Sequence, residues 1–351
     1  MRILVVGDSY CSSAALSPSF HALAAHQVTF RDVLDAPEWR PTTASELRIR
    51  EFLGTPDQVL AALDGHDVLV VQGAPVTDRV LAANPQLRLI CVARGGPVNV
   101  DVAAASAAGI PVVTTPGKNA TAVAELTIAC MVMLARHIPV VLRHADAGGE
   151  LFIDNYEGAH WFGHDLAAMT LGLVGFGAIG SRVARRAAAF EMRVLATDPF
   201  VDPATIRAAG CEPVSLDDLL ERSDVVSLHA RATADNKGLL DRSRLARMRP
   251  GSWLINTARD TLVDEVALDD ALRSGHLAGA ALDVASPSPA GTRHRLLDHP
   301  DVVLLPHIGG ATMETLANGG RMAAEEIERF ANGEPLRNLA NRDKLRVGTT
   351  P

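Results

Sequence analysis

The sequence is poor in aromatic side chains: Phe, Trp and Tyr together make up 4% of its 351 residues. A core with few rings is filled by Ala, Val and Leu, and such small, branched side chains suit parallel strands buried beneath helices. Cysteine is scarce too. Cys11, Cys91, Cys130 and Cys211 form no Cys-x-x-Cys pair, which argues against a disulfide framework and for buried, inert thiols in a cytoplasmic chain. No histidine spacing argues for a metal. Long apolar runs are absent. The longest, 126–135, lies between Glu125 and Arg136 and falls far short of the ~18 residues a membrane span needs. Positive charge is in deficit, with 33 Lys and Arg against 41 Asp and Glu for a net charge of −8. The one dense basic stretch, 182–186, reads as the outer face of a helix. The chain therefore lacks an electrostatic footprint for nucleic acid and a polybasic membrane anchor. Its opening, Met1-Arg-Ile-Leu-Val-Val-Gly-Asp8, is too short and too soon charged for a signal peptide, and reads as a first strand.

What is present is ordinary globular composition, 48% apolar and 21% charged, in a length that suggests two domains at about 150 residues each. Val-rich runs alternate with helical patterns, the sign of βαβ units and parallel sheets. Strands are expected at 3–6, 28–30, 68–71, 89–92 and 112–114. A long, mostly apolar helix follows over 121–143, which Pro139 should kink or interrupt. A loop rich in Gly, Asp and His spans 148–165. A second series has strands at 171–174, 194–197, 225–228, 253–256, 279–282 and 302–305. A last helix over 312–332 stops at Asn332-Gly333, a C-cap signal.

The sharpest local signal is Leu171-Gly-Leu-Val-Gly175-Phe-Gly177-Ala178-Ile179-Gly180, an apolar strand running into Gly-x-Gly-x-x-Gly with a helix after it. Gly175 permits a tight turn, Gly177 lets backbone approach a pyrophosphate, and Gly180 allows close helix–strand packing. The helix N-terminus faces the anion. The next strand ends at Asp198, whose carboxylate suits a ribose 2′-hydroxyl and repels a 2′-phosphate. Pro199 and Phe200 follow with no Arg to hold that phosphate, so the pattern favours NAD over NADP.

At Asn256-Thr257-Ala258-Arg259-Asp-Thr-Leu-Val-Asp264-Glu265 the chain resembles the D-isomer-specific 2-hydroxyacid dehydrogenases, which include phosphoglycerate, glyoxylate/hydroxypyruvate and formate dehydrogenases. Further matching stretches are Ala93-Arg94-Gly95-Gly96-Pro-Val-Asn-Val-Asp101, Thr115-Pro-Gly-Lys-Asn119, Gly279-Ala-Ala-Leu-Asp283-Val, Pro306-His307-Ile-Gly309-Gly310 and Gly333-Glu-Pro-Leu-Arg-Asn338. The resemblance implies an α/β protein of two Rossmann-like, doubly wound parallel-sheet domains with the active site in the cleft between them. Residues 1–119 and 312–351 would form a flavodoxin-like substrate domain. Residues 120–311 would form the NAD-binding domain and, with the long helix, a homodimer. The activity implied is hydride transfer between NAD(H) and a small 2-hydroxy or 2-keto acid. Arg259 would clamp the carboxylate, as a planar guanidinium suits, and His307 would serve as acid and base. Asp283 would hold the nicotinamide carboxamide, with Thr257 and Ala258 beside the ring and His229 and Ala230 as cofactor walls. Gly309 and Gly310 belong to the same cofactor set. Arg94, Gly95, Gly96 and Asn119 would contact substrate.

Two departures stand out. The family's Glu that bonds the catalytic His falls at Ser288, which cannot supply a charge favouring imidazolium. Formate dehydrogenases also lack that Glu, so formate oxidation is an alternative, and a nucleotide-binding sensor of the corepressor type is another. Where phosphoglycerate dehydrogenases often carry Arg-Ser, this chain has Gln72-Gly73, so phosphoglycerate is not the favoured substrate; Arg94 is the cation at hand. The end soon after Asn338 leaves no room for the regulatory domain of some relatives. Gly7-Asp8-Ser9 resembles a serine-esterase nucleophile block, but no His in the chain has an Asp three residues before it.

Overall fold

The computed structural model describes residues 1–149, 161–288 and 290–345. The chain divides into two compact units, one made of Met1–Asn119 with Ala311–Pro351, the other of Ala120–Gly310.

The first unit carries β1 (Arg2–Gly7), β2 (Gln27–Asp32), β3 (Val68–Val71), β4 (Leu89–Val92) and β5 (Val112–Thr114). They pair in parallel in the order β2-β1-β3-β4-β5, the flavodoxin-like winding. Strand side chains alternate, so each strand feeds two cores. Leu4, Val6, Leu69, Val71, Ile90 and Val92 face one side with Val59 and Leu63 of the helix Pro56–Leu63. Ile3, Val5, Val68, Val70 and Leu89 face the other with Phe20 and with Ala323 and Ile327 of the helix Met313–Ala331. Each fully buried Val, Leu or Ile is worth about 1.5–3 kcal/mol, which is why strands so short hold. Both ends of the sequence thus build one core. Beyond the last helix, Gly333 at φ +67 turns the chain, and Leu339 pairs antiparallel with Val113, covering the edge of β5.

The second unit carries β6 (Thr170–Val174), β7 (Arg193–Thr197), β8 (Glu212–Pro213), β9 (Val225–Leu228), β10 (Ser252–Asn256), β11 (Leu277–Leu282) and β12 (Val302–Leu304). All pair in parallel in the order β12-β11-β10-β9-β6-β7-β8. Winding reverses between β6 and β9, the switch point where such sheets place ligands outside the carboxyl ends.

The structure corrects several expectations. The long apolar helix is two, Ala120–Ala135 and Ile138–Asp146, bent by 69°. The break falls at His137, in the left-handed region at φ +52, and Pro139 sits in the first turn of the second helix, where its missing N–H costs nothing. The short edge strand β8 is an element the hydrophobic pattern does not announce. His294 and His299, between β11 and β12, are largely covered and paired: His299 Nε2 lies 2.7 Å from Asp269, and His294 Nε2 lies 3.4 Å from Glu265. All four cysteines are free and buried. Of the loop expected over 148–165, residues 150–160 lie outside the described residues.

Candidate active site

In the second unit the candidate residues fall along one carboxyl edge in sheet order. His307 follows β12, Asp283 follows β11, and Thr257, Ala258 and Arg259 follow β10. His229 and Ala230 follow β9, Gly175 to Gly180 follow β6, and Asp198 follows β7. Neighbouring strands lie about 4.8 Å apart, so three steps carry the edge from Asp198 to Thr257 over roughly 14 Å.

The Gly loop has the shape the motif asks for. Gly175 stands at φ +101, and a Cβ there would meet the backbone of His229 and Ala230 at 2.7 Å. A Cβ on Gly180 would lie 2.1 Å from the carbonyl oxygen of Gly175, so the helix Gly180–Ala189 can pack this closely only through glycine. At Gly177 the space is open. Among the described residues no acceptor meets the amides of Gly177, Ala178 and Ile179. Free amides ahead of a helix N-terminus form an anion cradle. Asp198 is fixed at the end of β7, accepting from Phe176 N at 2.8 Å and Phe200 N at 2.9 Å. His229 Nε2 lies 2.9 Å from the Ser227 hydroxyl, while its buried Nδ1 has no partner. Burial pushes the His229 ring down to about 3. The open cradle, the fixed carboxylate and the unpartnered buried nitrogen together fit a bound dinucleotide.

The residues after β10, β11 and β12 are held by buried polar groups. Asn256, 1% exposed, accepts from Ala258 N at 3.0 Å and donates to the Arg259 carbonyl at 2.9 Å, shaping the turn after β10. Thr257 lies buried with its hydroxyl 3.3 Å from that of Thr127. Arg259 is extended and exposed, and among the described residues its guanidinium donates only to its neighbour's carbonyl, that of Ala258, at 2.7 Å. Asp283, 2% exposed, accepts from Ile308 N at 2.8 Å and Gly309 N at 2.7 Å. It thereby fastens the loop of His307, Gly309 and Gly310, and each oxygen keeps a second lone pair. His307 is exposed and left-handed at φ +58, a conformation uncommon outside glycine. Ser288 is half-buried. The carboxylate that holds this loop is Glu265, which accepts from Ser286 N at 2.5 Å beside His294.

In the first unit, Arg94, Gly95 and Gly96 follow β4, and Asn119 lies five residues past β5. Space is open at both glycines. Sequence reasoning passed over two neighbours. Lys118 is largely buried, which lowers its pKa, and its Nζ donates to the Ala93 carbonyl at 2.7 Å. Glu51 pairs with Arg94. Asn256 lies in the 256–265 motif, which gives it no role of its own. A positioning residue of this kind shows itself only once its partners are folded around it.

The family described as D-isomer specific 2-hydroxyacid dehydrogenase, NAD binding domain, matches residues 128–309. The chain is 40% identical over 315 residues to a D-3-phosphoglycerate dehydrogenase of Mycobacterium bovis, covering 88% of this chain and 58% of that one. It is 36% identical over 286 residues to one of Archaeoglobus fulgidus, covering 81% and 53%. It thus spans about half the length of the curated relatives it matches. Among solved structures, the TT0316 protein of Thermus thermophilus superposes with a TM-score of 0.76 at 33% identity, covering 97% of this chain and all of that one. A D-isomer specific 2-hydroxyacid dehydrogenase of Polaromonas, described there as putative, gives 0.77 at 26%, covering 97% and 99%. The matched segment is an NAD-binding domain, and the full-length likeness extends through the first unit as well. Fold, motif order and likeness agree: this chain belongs to the D-isomer specific 2-hydroxyacid dehydrogenase family.

Proposed function

We propose that the protein is an NAD(H)-dependent oxidoreductase that interconverts a small 2-hydroxy acid and its 2-keto acid. The observation that carries this reading is the set after β10, β11 and β12: an uncommitted guanidinium at Arg259, a left-handed imidazole at His307, and the buried Asp283 that fixes the loop of the latter. Strain of about 1–3 kcal/mol at a non-glycine residue persists where surrounding bonds over-determine it, and two amides on one buried carboxylate do that here.

Gly177, Ala178 and Ile179 would hold the pyrophosphate on their amides, and Asp198 the ribose hydroxyls. His229 and Ala230 would wall the cofactor, Thr257 and Ala258 would flank its ring, and Asp283 would take the carboxamide on its remaining lone pairs, with Gly309 and Gly310 alongside. The bound nicotinamide supplies or accepts the hydride. Arg259 grips the substrate carboxylate and orients the carbon that reacts. His307 donates a proton from its ring to the carbonyl oxygen in reduction and withdraws it in oxidation. The amides of Gly95 and Gly96, together with Asn119 and Arg94, hold the substrate from the first unit. A cytoplasmic homodimer joined through the helix Ala120–Ala135 belongs to the same reading. It is supported by Leu126, Val132 and Met133, which are apolar and only partly covered, and light scattering tests it.

The test is a panel of 2-keto acids with NADH, run on the wild type and Arg259→Lys. Lysine keeps the charge and loses the planar fork. We expect kcat/KM to fall on the order of 10²-fold, the scale of removing one preorganised donor, with NADH affinity unchanged. Near-normal turnover by Arg259→Lys would overturn the role. A second reading, a nucleotide sensor, is favoured by the uncharged Ser288, and it predicts NADH binding without turnover on the whole panel.

A further inference from the structure

Residues 45–53 form a strap over the carboxyl ends of β3 and β4, and it is tied down at four points. Ser45 donates its hydroxyl to Asp101 at 2.6 Å, and Arg48 grips the same carboxylate at 2.6 Å. Arg50 N donates to the Val98 carbonyl at 2.7 Å, and Leu53 N to the Gly73 carbonyl at 2.9 Å. Glu51 lies between the last two ties, and its backbone is left-handed at φ +51. So fixed, it turns both its oxygen-bearing ends onto one guanidinium. Arg94 donates Nη1 to the Glu51 carbonyl at 2.6 Å and Nη2 to the Glu51 carboxylate.

Arg94 was the one cation that sequence reading could offer a charged substrate, since Gln72 and Gly73 supply none. The structure gives that cation a resident counter-charge. Lys118, a second cation at this edge, is turned inward onto the Ala93 carbonyl, with the Gln72 amide oxygen at 3.5 Å and the buried Asp8 in electrostatic reach. Asp8 itself is tied to the amides of Tyr10, Cys11 and Gly73. Tyr10, half-exposed, adds a neutral hydroxyl able to hydrogen-bond, and the exposed Arg50 precedes Glu51 in the strap.

We infer that Glu51 is a specificity-determining residue: by pairing with Arg94 it neutralises the charge a phosphorylated or dicarboxylic 2-keto acid would need, and so selects substrates whose side chain is uncharged and hydroxylated. The inference rests on the proposed function for the placement of Arg94 at the substrate. The Arg94 side chain is 21% exposed and that of Glu51 56%, and unit charges a few ångströms apart near a protein surface interact strongly enough to change affinity by up to about tenfold. A monoanionic substrate has no second anion to offer Arg94 and is indifferent to Glu51. A substrate with a second anion meets the carboxylate of Glu51 instead of a free guanidinium.

The experiment compares hydroxypyruvate with phosphohydroxypyruvate in the wild type, Glu51→Gln, Arg94→Gln and the double variant, each saturated with NADH. In Glu51→Gln the kcat/KM ratio of the phosphorylated to the plain substrate should rise about tenfold, chiefly through KM. In the Arg94→Gln background the same change should leave the ratio where it was, since the effect passes through the guanidinium. A merely structural role for Glu51 would move both substrates together. A ratio unchanged within about twofold in Glu51→Gln overturns the inference. Should the wild type turn over neither substrate, calorimetric titration of the NADH-loaded proteins with glycerate and 3-phosphoglycerate reads the same ratio as binding. In that case an unmoved binding ratio overturns the charge pairing, and the proposed activity falls only if the rest of the 2-keto acid panel is inert as well. Binding of neither ligand by any variant overturns both.

Discussion

Burial keeps His229 neutral far below its ordinary range, at about 3 against 6.5 for an open ring. Unfolding releases it to titrate normally, so the unfolded chain takes up the proton first as pH falls. The stability this histidine contributes is complete above about 6.5 and drains away toward 3. By linkage its share of the loss at pH 5 is about 2 kcal/mol. The urea midpoint should therefore drop between pH 7 and pH 5, and drop less in His229→Asn. Equal drops would show that the ring is already accessible to protons. Ser288 makes the opposite case, a missing charge. Installing one with Ser288→Glu should favour imidazolium at His307. Reduction of the best keto acid should then persist to higher pH, and oxidation should need higher pH to begin. A pH–rate profile unmoved by this substitution, with activity intact, would show that the relatives' Glu acts elsewhere. Residues proposed to touch ligand were legible because their order along the chain is itself a signature. Asn256, Glu51 and Glu265 were not, because each acts through hydrogen bonds that exist only after folding. Glu51 reaches Arg94 across 43 positions of sequence, and no pattern in either segment marks the other.

At the level of elements, every expected strand formed, since runs such as Val-Leu-Val-Val at 68–71 admit little else once buried on both faces. The strand at 212–213 was invisible because two residues at a sheet edge carry no period. The helix break was misplaced by two residues for a physical reason: proline is read as a breaker, yet in a first turn it starts a helix. Polar capture fixes the last segment. Glu326, 2% exposed on the helix Met313–Ala331, accepts from Arg337 N at 3.1 Å, Asn338 N at 3.0 Å and Asn338 Nδ2 at 2.8 Å. That holds the stretch whose Asn338 carbonyl accepts from Thr114 N and whose Asn341 side chain accepts from Val112 N. Glu326→Ala leaves three donors without an acceptor. It should cost on the order of 2–4 kcal/mol, read as a lower denaturant midpoint and faster amide exchange at 112–114 and 336–341. A loss under about 0.5 kcal/mol would mean that water replaces the carboxylate freely.

The molecule as a whole has two compact units and a cradle fitted to the dinucleotide in only one of them. A ligand that binds the folded state adds about 2.7 kcal/mol of stability at a hundred times its dissociation constant. NADH at that level should slow amide exchange in the strands of 120–310 more than in those of 1–119. NADPH at the same concentration should do less if Asp198, as proposed, meets the ribose and repels a 2′-phosphate. Uniform protection by both nucleotides would contradict the assignment. The helix Met313–Ala331, which supplies Ala323 and Ile327 to the core of the first sheet, has a bearing on synthesis. On the ribosome that sheet emerges early, and its matching helix arrives only after the roughly 190 residues of the other unit have been made. At about 5–20 residues per second the interval is on the order of 10–40 s. For that time the face formed by Ile3, Val5, Val68 and Val70 waits only partly covered, by Leu16, Phe20 and Leu23, while an entire second fold completes. The nascent chain is then at its stickiest, and the order of birth of its parts runs against the order in which its first core can close.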